Sequence, residues 1–182
     1  DGAPRNVMLP VHSFISATAP LDDATVARIN PRDLAICDPN FVVNYYRLSA
    51  DRRLLFGLRL NYLGDDPAVI MRRHRRKIRR LYPQLADVRI DYAWGGRIGV
   101  PYHRTPVMGR SDGNIFYSQG YSGHGVNVTH LAGQILAEAI AGSMERLDVF
   151  ARVKPLRIPG AWRFSAPLVT LAVLYYQLRD RL

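Results

Sequence analysis

The chain has 182 residues, 48% of them hydrophobic and 22% charged, which suits a folded core and excludes a low-complexity polypeptide. Its net charge of +10 is concentrated, because Arg72 to Arg80 holds seven Lys or Arg and no acid, leaving the remainder mildly basic. The single cysteine, Cys37, excludes an intrachain disulfide and any multi-cysteine metal site.

Val7 to Ala19 is apolar, hydroxylated and β-branched and reads as a strand. Leu21 to Ile29 has a short helical pattern entered at Asp22 or Asp23. Phe41–Leu48 and Arg53–Leu60 are strand-like, and the polar Ser49-Ala50-Asp51-Arg52 between them predicts a hairpin. Asp65-Asp66-Pro67 is a helix start, with acidic caps and proline at the first turn, and Pro83 stops the helix near Tyr82. Ile70, Ile78 and Leu81 form its narrow apolar stripe, with His74 among them.

Val88 to Gly99 reads as a further strand, followed by extended pieces at Pro106–Met108 and Ile115–Tyr117 around the turn signal Asp112-Gly113. Val128, Leu131, Ala132, Ile135, Leu136, Ala139 and Ile140 follow helical spacing, with Gly142 as the stop. Pro167 to Leu182 predicts a terminal helix whose apolar run falls short of the ~20 residues a bilayer needs. The expected class is α+β with a mainly antiparallel sheet and flanking helices. No secretory signal opens the chain and no initiator Met stands first, so a cytoplasmic piece of a longer product is expected.

The segment with most chemical content is Gly120-Tyr121-Ser122-Gly123-His124-Gly125-Val126, a glycine-rich strand-to-helix junction. Glycine permits positive φ and close approach of a ligand to the backbone, and a helix N-terminus supplies unpaired N–H groups and partial positive charge. Periodicity alone leaves two readings open, a site for an anionic oxygen or a plain tight turn. His124 reads first as a structural donor, with a catalytic base as the alternative. There is no serine or cysteine elbow and no HExxH pattern, and His12, His74, His103 and His130 show no ligand spacing, so metal catalysis is not expected. A Gly-x-Gly-x-x-Gly phosphate motif is also missing, since position 128 is Val. The basic run 72–80 has a rival reading as a nucleic-acid or anionic-membrane surface, against that of a solvated helix face.

In series, Asn40 through Ser49, Asp51 through Gly57, Tyr82-Pro83-Gln84-Leu85, Tyr92-Ala93-Trp94-Gly95-Gly96, Pro106 through Arg110 and Gly120 through Val126 resemble the D-amino-acid oxidase superfamily, in its amine-oxidising branch around gamma-glutamylputrescine oxidoreductase. The resemblance runs over roughly residues 8 to 182. It implies an FAD-dependent oxidation of a C–N bond, with the Rossmann-like phosphate-binding portion lying outside this chain and the isolated chain inactive. Residues 1–110 would then be most of the substrate domain, 111–145 the return to the flavin domain, and 146–182 a helical extension.

The same resemblance implies that Gly95, Gly96, Ser122, Gly123, His124, Gly125 and Val126 meet the flavin, and that Tyr46, Trp94 and Tyr121 meet the substrate; Tyr45 is a further candidate for the aromatic wall, and ordinary core packing is the alternative for each of the four. Amino-acid oxidases of this superfamily clamp a carboxylate with two arginines. Here the equivalent positions fall near Ile98, with Arg97 one place off register, and at Val126. A small amine without an α-carboxylate is therefore the expected substrate, with neither nucleic acid nor a transmembrane segment expected. Positions 94–105 contain no cysteine, so attachment of FAD is expected to be non-covalent.

Overall fold

The computed structural model describes residues 4–40, 43–59, 66–157 and, near the C-terminus, positions 167, 170–172, 174–176, 178 and 179. Phe41, Leu60, Asp65 and part of the predicted terminal helix lie outside the described residues. The chain divides into two compact units, His12–Gly96 with Val169–Leu182, and Asp1–Val11 with Arg97–Leu168. The boundaries after Val11 and after Gly96 fall inside the long strands Met8–Thr18 and Ile90–Pro101.

Strands β1 (Met8–Thr18), β2 (Ile36–Cys37), β3 (Asn44–Leu48), β4 (Leu54–Arg59) and β5 (Ile90–Pro101) form a sheet in the order β2-β3-β4-β1-β5. The β2–β3, β3–β4 and β4–β1 pairings are antiparallel. Helix α1 (Asp23–Ile29) is capped by Asp22, whose carboxylate accepts from the Thr25 N–H at 2.8 Å. The predicted hairpin forms with Leu48 opposite Leu54. Ser49 builds its turn by donating to Asp51 at 2.6 Å and accepting from the Arg53 N–H at 3.0 Å. β2 has no counterpart in the sequence reading, because two residues carry too little alternation to register.

Helix α2 (Pro67–Leu81) starts at the Asp66 cap with proline in its first turn. The residues it buries are Ile70, His74 and Ile78, one per turn, whereas Leu81 is exposed. His74 thus takes the central core position, and Leu81, predicted for the stripe, falls outside it. Phe14, Leu21, Ile29, Leu48, Leu54, Phe56, Leu58, Leu85 and Ile90 complete this core with the helix. Arg72, Arg75, Arg76, Lys77, Arg79 and Arg80 of α2 are exposed.

Arg53 ties the hairpin to its neighbouring strands. Its guanidinium donates to Asp91 at 2.6 Å, to Asp51 at 2.6 Å and to the Thr18 carbonyl at 2.8 Å. Asp91 also accepts from Arg89 at 2.6 Å. Arg53 first, and then Arg89, hold the Asp91 carboxyl below its usual 3.8.

In the second unit, β6 (Val107–Ser111) and β7 (Ile115–Gln119) form an antiparallel hairpin. Its turn takes positive φ at Asp112 and Gly113, as the sequence signal requires. Helices α3 (Gly125–Ile140) and α4 (Glu145–Ala151) follow. Their core joins Met108, Ala132, Ile135, Ala139 and Leu147. Gly142, at φ 106°, ends α3, with Gly142 N–H donating to Ala139 at 3.1 Å and Ser143 N–H to Glu138 at 2.9 Å. These are the paired bonds of a Schellman stop. Leu131 and Ile140, expected on the buried stripe, are exposed, and α4 was not expected. The described positions between 167 and 179 are helical, and no helix among the described residues is long and apolar enough to cross a membrane.

Candidate functional site

The residues nominated from sequence divide between the two units. Tyr46, Trp94, Gly95 and Gly96 belong to one, and Tyr121 to Val126 to the other.

The junction follows directly from its residue types. Gly120 and Gly123 take φ of 78° and 87°, and Ser122 takes 54°, so three of the four residues from 120 to 123 have left-handed backbone. At Gly120 a Cβ would stand 2.5 Å from Pro101 and 3.0 Å from the Met8 sulfur, which makes glycine a steric requirement there. The strained Ser122 is buried and held at both ends. Its N–H donates to the Gly99 carbonyl at 3.2 Å and its hydroxyl to the Arg104 carbonyl at 3.1 Å. Tyr121 is half-buried against the α3 core, and its hydroxyl donates to Ser118 at 2.6 Å.

Helix α3 then begins without a side-chain cap. His124 is its N-cap residue and is exposed, and its backbone N–H donates to Tyr121 at 2.9 Å. The first intrahelical bond there runs from Val128 N–H to the His124 carbonyl at 3.3 Å. The N–H groups of Gly125, Val126 and Asn127 precede it and have no helical partner. Val126 is 90% exposed and Gly125 has only ordinary contacts. An uncapped helix start with positive local potential and no carboxylate in its first turn fits an electron-rich oxygen.

In the other unit, strand alternation separates the nominated residues. A Cβ on Gly95 would stand 2.2 Å from the Phe14 ring, whereas one on Gly96 would meet nothing within 4 Å. Gly95 therefore faces the core, and Trp94 and Gly96 face away from it. Trp94 is 47% exposed. Tyr46 faces the core as well, stacked on Phe56 at 5.6 Å and edge-on to Tyr82 at 5.9 Å. Burial, with Tyr46 beside it, pushes the Tyr82 phenol up to about 12. Period-two alternation also puts Tyr45 on the opposite face from Tyr46. There the Tyr45 hydroxyl meets that of Ser13 at 2.8 Å, a contact between strands that nothing in the sequence singles out.

The comparisons with known proteins agree with this architecture. The FAD dependent oxidoreductase family, DAO, matches residues 1–139. Gamma-glutamylputrescine oxidoreductase of Escherichia coli strain K12 is 40% identical over 174 residues, covering 96% of this chain and 41% of the relative. A probable oxidoreductase OrdL of Haemophilus influenzae is 41% identical over 96% of this chain and 39% of its own length. The chain thus spans about two fifths of the curated relatives it matches. Among solved structures, L-proline dehydrogenase from P. horikoshii aligns with TM-score 0.64 at 18% identity, over 80% of this chain and 39% of that one. Amadoriase I from Aspergillus fumigatus aligns with TM-score 0.61 at 16% identity, over 80% and 38%. At those identities the structures speak to the fold alone. Neither group of relatives lends support to a nucleic-acid or membrane role for the arginine-rich face of α2. With the family matching residues 1–139 of 182, the chain belongs to the DAO family of FAD-dependent oxidoreductases.

Proposed function

We propose that the protein carrying this chain oxidises a C–N bond of a small amine, of the kind represented by γ-glutamylputrescine. The observation that carries this reading is the uncapped start of α3 beyond the Ser122–Gly123 reversal, in a chain 40% identical to a gamma-glutamylputrescine oxidoreductase. Ser122, Gly123, His124, Gly125 and Val126 are the proposed flavin contacts in this segment; Gly96, on the open face of β5, is proposed as a further one, and Gly95, whose Cβ side is closed by Phe14, through its backbone only. Trp94 and Tyr121 are proposed to contact substrate, with Tyr46 acting from the core side of its strand. The division into substrate domain, flavin-domain return and C-terminal extension is proposed on the same resemblance.

Bound FAD supplies a two-electron acceptor for the hydride leaving the amine carbon. The chain's own part is electrostatic and geometric. The free N–H groups of Gly125, Val126 and Asn127 donate toward an oxygen that gains negative charge, and the helix dipole adds to them. Ser122 keeps those donors aimed, because its two hydrogen bonds stop the positive-φ turn from relaxing. Val126 stands where amino-acid oxidases carry a carboxylate-binding arginine, which favours an amine over an α-amino acid. Positions 94–105 contain no cysteine, so no cysteinyl attachment of FAD is proposed there.

The test is spectroscopic. The whole polypeptide purified from its natural host should show flavin absorbance that bleaches anaerobically with γ-glutamylputrescine or putrescine, and release flavin on denaturation. A protein without flavin, or one whose flavin is reduced by α-amino acids and by no amine, overturns the proposal.

A further inference from the structure

Helix α2 buries Ile70, His74 and Ile78 and carries its cations elsewhere on its surface. At about 100° per residue, Arg72, Arg75, Arg76, Arg79 and Arg80 line the side away from those three, at i, i+3, i+4, i+7 and i+8. All five are exposed, as is Lys77. No acidic residue stands anywhere between Pro67 and Leu81. A solvated helix face intersperses carboxylates three or four residues from its cations, where the two pair. Arginines elsewhere in this chain do find carboxylates. Arg52 meets Asp23 at 2.6 Å, Arg53 meets Asp91 at 2.6 Å and Arg146 meets Glu138 at 2.7 Å. Among the described residues, none of the five stripe arginines has such a partner. Arg79 and Arg80 suit the C-terminal end of the helix through its dipole, whereas Arg72, Arg75 and Arg76 have no such local reason.

We propose that this stripe is a docking surface for an acidic helix of a partner protein, whose Glu or Asp side chains repeat at helical spacing and pair with the arginines. Charge complementarity sets the sign of the occupant, and the residue types set its class. An arginine fork holds a carboxylate through two parallel hydrogen bonds. The row from Arg72 to Arg80 is about 12 Å long, the rise of roughly two turns of a partner helix. Nucleic acid shares the charge, but α2 has no Phe, Tyr or Trp to stack on a base and no Asn, Gln, Ser or Thr beside the arginines. An anionic bilayer shares it too, but no apolar side chain lies within the stripe to enter the acyl region. The Asp66 cap and the buried Ile70, His74 and Ile78 hold the row rigid, so the spacing is fixed before a partner arrives. Docking there is independent of the amine oxidation proposed above.

The test uses the whole flavoprotein and the fluorescence anisotropy of two labelled, alanine-based helical peptides of equal charge. One carries glutamates at i, i+3, i+4 and i+7, and the other carries the same number bunched in one block. At about 50 mM salt the spaced peptide should bind roughly tenfold more tightly than the bunched one, and about 300 mM salt should weaken it roughly tenfold. R75E/R76E should weaken binding of the spaced peptide by roughly tenfold or more, with flavin content and thermal midpoint unchanged. If that double variant fails to fold, R75Q/R76Q is read by the same criterion. Equal binding of the two peptides, or an unchanged affinity in the variant, overturns the inference. So does no binding at all, the outcome of a stripe already covered by the rest of the polypeptide. Tighter binding of a DNA duplex of about 20 base pairs, or of phosphatidylcholine vesicles with about 30% phosphatidylserine, gives the stripe to another class of partner and overturns it as well.

Discussion

The buried imidazole of α2 makes the stability of this chain depend on mild acid. His74 is fully enclosed, with Nδ1 at 2.6 Å from the Ser16 hydroxyl and its ring edge-on to Phe56 at 5.8 Å. Among the described residues its Nε2 has no hydrogen-bond partner of good geometry. Burial pushes its pKa down from 6.5 to about 4, against a smaller upward pull from the Phe56 backbone. The folded protein therefore holds His74 neutral over a range where the unfolded chain binds a proton. Stability is fully present above pH 6.5, falls as pH drops through that value, and stops falling below about pH 4. With those two values the loss is about 2 kcal/mol between pH 7 and pH 5, and about 3 kcal/mol at the plateau. Urea unfolding followed by circular dichroism at pH 7, 6 and 5 should show it. H74L removes the titration while leaving Ser16 without its partner, which costs about 1–3 kcal/mol at every pH. The variant should start less stable and lose less on acidification. Equal slopes for variant and wild type would refute the assignment of this proton to His74.

Two adjacent glycines should behave in opposite ways. G95A drives a Cβ into the buried Phe14 ring and should cost about 1–3 kcal/mol, whereas G96A meets open space and should stay within about 0.5 kcal/mol. Thermal melts of both variants check this, and equal destabilisation would contradict the face assignment of β5. V126D adds a carboxylate to the first turn of α3 at a residue 90% exposed, so the helix should gain about 0.3–1 kcal/mol. In the whole enzyme the same charge opposes the negative charge proposed to develop there, and anaerobic flavin reduction should slow roughly tenfold or more. Unchanged reduction with raised stability would separate the helix start from the flavin.

Much of the architecture was legible because local rules and tertiary structure agree. Asp66-Pro67 starts α2, Gly142 stops α3, and Ser49 to Arg52 close the hairpin, since caps and turns are settled by a few neighbouring residues. The junction from Gly120 to Val126 was legible for the same reason, and its positive φ values fall at and beside the glycines. The short elements β2 and α4 were not, because two or seven residues carry too little periodicity. Leu81, Leu131 and Ile140 show the limit of helical spacing. It marks an apolar stripe but cannot say how wide a strip the neighbouring elements cover.

The sequence by itself determined the family, the order of the longer strands and helices, and the glycine-rich start of α3. These depend on residue types at short spacing, and strand alternation already assigns Tyr45 and Tyr46 to opposite faces. Only the tertiary structure decided which of those faces is the core. It sent Tyr46 inward onto Phe56 and laid Tyr45 across Gly57 to reach Ser13, 32 residues away in the chain. Contacts between distant strands depend on register, which no local pattern in one sequence specifies.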